Sequence, residues 1–196
     1  MVLDRFRELG NKIMFPIAKK LKWINPDILT LVSFLICIAS GILFYIDGIE
    51  VLIPIAALLT LAGFFDYLDG SIAKVNKKET KRGDFLDHTL DRFSDVAIFG
   101  GLALSNFVNI YAGFAAVVIM LLVSYMGTQA HALTGKRDYS GMLGRADRMI
   151  FLIAAVLLQY FFISYRVLEL FVYIMIVAGI ITVVQRFFST WKKLSR

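Results

Sequence analysis

Four aspartates stand in two closely spaced pairs: Asp66 and Asp69, three residues apart, then Asp87 and Asp91, four apart. On helices both spacings place the members of a pair on one face, a turn from each other. Two such pairs brought together make a cage of carboxylate oxygens whose mutual repulsion calls for cations. Hard oxygen donors of this kind select Mg²⁺, Mn²⁺ or Ca²⁺. A Mg²⁺ site typically combines a few carboxylates with phosphate oxygens of a substrate, and two ions about 3.5–4 Å apart can share a bridging carboxylate. The plainer alternative is that the acids end two helices and pair with Lys74, Lys77, Lys81, Arg82 and Arg92 around them. All four carboxylates at these spacings favour the metal cage, because charge at a membrane helix end is costly and usually functional.

The elements that must position these acids are apolar helices. Of the 196 residues 59% are hydrophobic and 18% charged, with a mean hydropathy of +0.73. Soluble domains lie nearer ~45–50% apolar and ~25% charged. Stretches long enough to cross a lipid core, about 20 residues each, recur along the chain. Six are expected: 28–46, from about 51 into the aspartate stretch, from that stretch through "VAIFGGLALS", 111–133, 149–165 and 167–188. The expected fold is an all-α integral-membrane bundle of six transmembrane helices, covering 25–190. An interfacial amphipathic segment over 1–24 precedes it, with Phe6, Leu9, Ile13 and Ile17 on one face and Pro16 expected to kink or end its helix. The start of the chain lacks the apolar core and small-residue cleavage site of a secretory signal. The single cysteine, Cys37, excludes an intrachain disulfide and reads as a small buried hydrophobe.

The net charge of +6 is distributed by side rather than spread as a nucleic-acid surface. Basic residues fill the N-terminal segment, the connection between the second and third spans, the connection between the fourth and fifth, and the C-terminus; the connections on the other side hold only Arg166. The positive-inside rule then puts both termini and the aspartate-bearing helix ends in the cytoplasm. The second and third spans, joined by the short basic segment "VNKKETKR", bring the two pairs together by packing antiparallel. Asp95 lies one turn beyond Asp91 as a support, Asp84 faces solvent, and His88 is expected to point away from the cage.

The full string runs D-x2-D-G-x2-A-K-x8-G-x3-D-x3-D, from Asp66 through Asp69, Gly70, Ala73, Lys74, Gly83 and Asp87 to Asp91. It resembles the signature of the CDP-alcohol phosphotransferase family, which has Arg where this chain has Lys74. The resemblance implies a transferase in which a small alcohol displaces CMP from a CDP-linked lipid to make a phospholipid or its precursor. It also implies that Asp66, Asp69, Asp87 and Asp91 ligate two ions, Mg²⁺ or Mn²⁺, with Asp91 as catalytic base. Gly70, Ala73 and Gly83 would make room for the nucleotide, with Asp69, Lys74 and Thr30 beside it, Thr30 belonging to the family-like string "NPDILT". Lys74 keeps the charge but loses the fork of Arg. A homodimer in the cell membrane is a further implication.

Within the family, "GDFLDHTLDRFSD" and "GRADR" resemble the branch of phosphatidylinositol phosphate synthases and their archaeal counterparts, archaetidylinositol phosphate synthases. That implies inositol 1-phosphate as acceptor and a diacylglycerol or archaeol lipid. A dianionic acceptor needs cations, and Lys136, Arg137, Arg145, Arg148 and Arg186 are the candidates to bind its phosphate through charge-assisted hydrogen bonds. Glycerol 3-phosphate carries the same group and is the competing acceptor. A divalent-cation transporter is the reading from another class, but its acids belong near the bilayer midplane.

Overall fold

The computed structural model describes residues 7–76, 80–135 and 140–195, with side chains from residue 14 onward. Among the described residues seven α-helices follow one another: α1 (Arg7–Lys20), α2 (Pro26–Ile46), α3 (Leu52–Val75), α4 (Lys81–Ala103), α5 (Ile110–Thr134), α6 (Arg145–Phe161) and α7 (Val167–Leu194). No strand occurs among the described residues.

Local chemistry sets many of the helix ends. Pro26 opens α2 where its missing N–H costs nothing, and the Asn25 side chain accepts from the Asp27 N–H at 3.0 Å. Thr80 caps α4 by accepting from Gly83 N–H at 3.0 Å, and Asn109 caps α5 through Tyr111 N–H at 2.9 Å. Helix α5 ends on Gly135 in the left-handed region, φ 68°.

Helix α2 packs on α3 and α4, α4 continues to α5, α5 lies on α7, and α6 closes the bundle against α3 and α7. The α2–α4 contact is backbone-close. A Cβ on Gly41 would meet the carbonyl of Ala97, and one on Gly101 would meet the backbone of Gly41, so only glycine lets the two helices approach this far. A continuous apolar core of Phe44, Leu59, Ile98, Leu102, Met120, Leu152 and Met175 fills the space between helices.

Among the described residues four stretches are long and apolar enough to cross a membrane: α2, residues 49–75, α5 and α7. With the outer faces bearing Leu35, Ile42, Phe114, Leu122, Ile174 and Ile180, the chain is a multi-pass membrane protein. Helices α4 and α6 are less apolar because charged residues occupy them, and those charges turn inward: Asp91 and Asp95 on α4, Asp147 and Arg148 on α6, are all buried.

Two sequence expectations need correction. The fifth span was placed at 149–165, whereas α6 begins at Arg145 and ends at Phe161. The Asp147 carboxylate accepts from the Gly144 N–H at 2.8 Å, which starts the helix one turn earlier and takes Arg145 and Arg148 out of the connecting segment. Pro16 does not end α1, which runs on to Lys20. Its last turn is held by tertiary packing instead, with Ala18 buried against Leu29, Leu68 and Ile72. Phe6, Leu9 and Ile13 lie outside the described side chains; Ile17 packs on this cluster while Lys19 and Lys20 stay exposed.

Candidate active site

Asp66 and Asp69 occupy the C-terminal half of α3, and Asp87 and Asp91 the N-terminal half of α4. Residues 76–80 separate the two helices in sequence; both helices pack chiefly on α2 rather than on one another, which corrects the expected antiparallel packing, and the acids meet in the space between them. One carboxylate oxygen each from Asp66, Asp69 and Asp87 lies within 4.8 Å of the other two. That is a span a hard cation can bridge. His88 belongs to the same neighbourhood: its Nδ1 lies 3.6 Å from Asp87 and 3.9 Å from Asp91, and its Nε2 3.1 Å from the exposed Asp84. The expectation that His88 points away therefore fails, because its ring swings back along α4 among acids one turn to either side.

The donor set suits a divalent metal on its chemistry. Every expected ligand is a carboxylate, and a cation is already accommodated among them. Arg145, from the first turn of α6, forms ion pairs with Asp66 and, at 2.9 Å, with Asp91. Arg92 reaches Asp91 on its other oxygen at 3.2 Å. Buried like charges this close persist only when compensated, and here two guanidiniums compensate the Asp66–Asp91 side of the cluster.

The Asp69–Asp87 side faces something different. A cavity of about 460 Å³ opens there, lined by Thr30, Asp69, Gly70, Ala73, Lys74, Gly83 and Asp87 among others. A Cβ on Gly70 would meet nothing within 4 Å, so the glycine leaves open volume rather than easing a packed contact. Thr30 donates to the Asp69 carboxylate at 2.6 Å and fixes its orientation. The cavity's outer wall is the link between α1 and α2, Lys22 to Asn25, tied to the end of α3 by a 2.8 Å bond from the Asn76 side-chain amide to the Lys22 carbonyl. Sequence reasoning missed that wall, since an irregular link carries no periodicity.

The acceptor cations separate. Lys136 and Arg137 lie outside the described residues. Arg145 sits on the carboxylates. Arg148 is buried and spent on the protein: Nη1 binds Asp95 at 2.6 Å and the Met120 carbonyl at 3.3 Å, while Nη2 binds Ser124 Oγ at 3.2 Å. Arg186 is buried too, its Nε donating to the Ser140 carbonyl at 3.0 Å and its Nη1 to that of Val123. The Asp95–Arg148 pair joins α4 to α6 directly beneath Asp91 and Arg145, one turn along each helix. Sequence analysis placed Asp95 as a support but did not find its partner; the three-residue step from Arg145 to Arg148, echoing the step between the aspartates, was the available signal.

A sequence model of the CDP-alcohol phosphatidyltransferase family matches residues 23–191. The archaetidylinositol phosphate synthase of Methanothermobacter thermautotrophicus is 34% identical over 194 residues, 98% of this chain and 96% of that protein. The phosphatidylinositol phosphate synthase of Cutibacterium acnes is 32% identical, covering 79% of this chain and 77% of that one. Among solved structures, the Mycobacterium tuberculosis phosphatidylinositol phosphate synthase with CDP-DAG bound superposes with a TM-score of 0.78 at 29% identity, over 92% of this chain and 94% of that one. The same enzyme in complex with manganese and citrate also gives 0.78, at 28% identity, over 91% and 88%.

Proposed function

The chain belongs to the CDP-alcohol phosphatidyltransferase family, and we propose that it moves the phosphatidyl-type group of a CDP-activated lipid onto inositol 1-phosphate, releasing CMP. The observation that carries this reading is the pairing of a roomy cavity on one side of the carboxylate cluster with an arginine on the other. A CDP-lipid has a nucleotide to house and a diphosphate to neutralise, while a phosphorylated alcohol approaches with its own negative charge.

The residues divide accordingly. Gly70, Ala73 and Gly83 leave space for the cytidine and its phosphates; Lys74 is the cation on that rim; Thr30 holds Asp69 ready. Asp66, Asp69, Asp87 and Asp91 would hold two divalent ions, Mg²⁺ or Mn²⁺, which would neutralise charge developing on the phosphate oxygens. The acceptor hydroxyl oxygen attacks the lipid-bearing phosphorus, and the bond from that phosphorus to the bridging oxygen breaks. CMP departs with that oxygen, and the hydroxyl proton passes to the Asp91 carboxylate, a contribution of roughly 10²–10⁴-fold. Positioning and electrostatics supply the rest, as phosphoryl-type transfers require.

Arg145 is the acceptor-phosphate contact of this scheme, joined by Lys136 and Arg137. Arg148 and Arg186 act behind it, holding α4, α5, α6 and α7 in register. In this reading α4 and α6 also span the bilayer, giving six spans in the cell membrane with both termini and the active site cytoplasmic. The segment 1–24 lies along the interface, residues 25–190 form the catalytic domain, and two copies associate as a homodimer. The lipid is a diacylglycerol or archaeol. Glycerol 3-phosphate shares the acceptor's phosphate, but the relatives' names favour inositol phosphate. A cation transporter has no use for the nucleotide-sized cavity. The test is to incubate purified protein with CDP-lipid, Mg²⁺ and a panel of alcohols and identify the lipid product by mass. Lipid inositol phosphate is expected; a glycerophosphate product alone would overturn the acceptor assignment.

A further inference from the structure

We propose that Arg145 and a divalent ion take turns at Asp66 and Asp91, so that metal entry releases Arg145 to meet the phosphate of the acceptor. The inference rests on the metal-dependent reading above and adds an order of events to it. One guanidinium nitrogen of Arg145 pairs with Oδ1 of both Asp66 and Asp91. A guanidinium and a metal ion cannot hold the same oxygen lone pairs, and their charges repel. Arginine does not deprotonate at any physiological pH, so the carboxylates are cleared by displacement alone.

The surroundings suit such an exchange. Arg145 stands at the first position of α6, and its backbone is anchored by its neighbours. Asp147 holds the Gly144 N–H, and Arg148 locks the next turn to Asp95 at 2.6 Å. The long side chain of Arg145 can therefore leave the acids while the helix stays. Arg92, on the same helix as Asp91, remains to balance that carboxylate. No ion pair links Arg145 to Asp69 or Asp87, the two acids bordering the cavity, among the described residues. The nucleotide side is thus open whether or not Arg145 has moved, whereas the acceptor side gains its cation only after a metal has taken Arg145's place. Metal and CDP-lipid bind first, the phosphorylated alcohol second.

Competition makes a prediction opposite in sign to that of a passive phosphate ligand. Using detergent-solubilised full-length protein without substrate, Mn²⁺ binding is measured from the loss of the free-ion spin-resonance signal. Arg145→Gln should bind Mn²⁺ about tenfold more tightly than wild type, within the usual range of coupling between two sites. Arg145→Lys should fall between them. Arg82→Gln, which removes an exposed cation from the start of α4, controls for general electrostatics and should change the affinity less than twofold. In parallel, Mg²⁺ should speed labelling of Arg145 by an arginine-selective dicarbonyl, read by mass spectrometry. If wild type binds Mn²⁺ and Arg145→Gln binds it no more tightly, with labelling unaffected by Mg²⁺, the exchange is wrong and the metal centre stands. If wild type binds no Mn²⁺, the metal centre fails and the exchange with it.

Discussion

Arg166 holds Glu169 at 2.6 Å at one end of the bundle, and Arg148 holds Asp95 at the same distance toward the other. The geometry is alike; the surroundings are not. The Arg166 side chain is 61% exposed, and its partners are the loops: Arg166 also reaches the Asn106 carbonyl at 3.4 Å, and Glu169 caps Asn109 N–H at 3.0 Å. The Arg148 side chain is 4% exposed and binds two other helices, α4 and α5. At the first end charge stitches connecting segments together in contact with water. At the second it is stacked in layers, Asp95–Arg148 beneath Asp91–Arg145–Asp66, and a cavity opens beside the neighbouring Asp69 and Asp87. Two guanidinium–carboxylate pairs become an exposed clasp or a buried brace according to what excludes water around them.

Stranding the buried charge should have the largest effect. Arg148→Leu leaves the buried Asp95 carboxyl without its partner and should cost about 3–5 kcal/mol, seen as a large drop in thermal midpoint in detergent. The double variant Asp95→Leu/Arg148→Leu should regain most of that loss, since a pair replaced by apolar groups is often neutral in stability. At the other end, Glu169→Gln removes an ion pair that solvent already screens and should cost less than about 1 kcal/mol by the same measurement. Equal losses at the two ends would show that exposure does not separate them.

Much of the site was legible because its signal is helical periodicity. Asp66 with Asp69 and Asp87 with Asp91 share faces by spacing alone, whereas their meeting comes from the packing of both helices on α2 rather than from direct antiparallel packing of one on the other. Thr30, Gly70, Ala73, Lys74 and Gly83, singled out by resemblance, all line one cavity. The position of Arg145 was not legible. Its charge and that of Arg148 lower local hydropathy, which pushed the expected span to 149, whereas a single Asp147–Gly144 bond begins the helix at 145. The pairing of Arg148 with Asp95 spans 53 residues and depends on where α6, packed on α3 and α7, places its first turns relative to α4, information that no local pattern holds. His88 shows the smaller version of the same failure: its direction depends on acids a turn to either side, not on its place on the helical wheel alone.

In the proposed scheme the upper-layer carboxylates, Asp91 above all, carry out group transfer, while Asp95 braces the fold. CMP release by Asp91→Asn, at saturating Mg²⁺, CDP-lipid and inositol 1-phosphate and with wild-type thermal stability verified, tests it most directly. A fall of roughly 10²–10⁴-fold is predicted, the amount a positioned base contributes. Release at the wild-type rate from that folded variant would contradict the account.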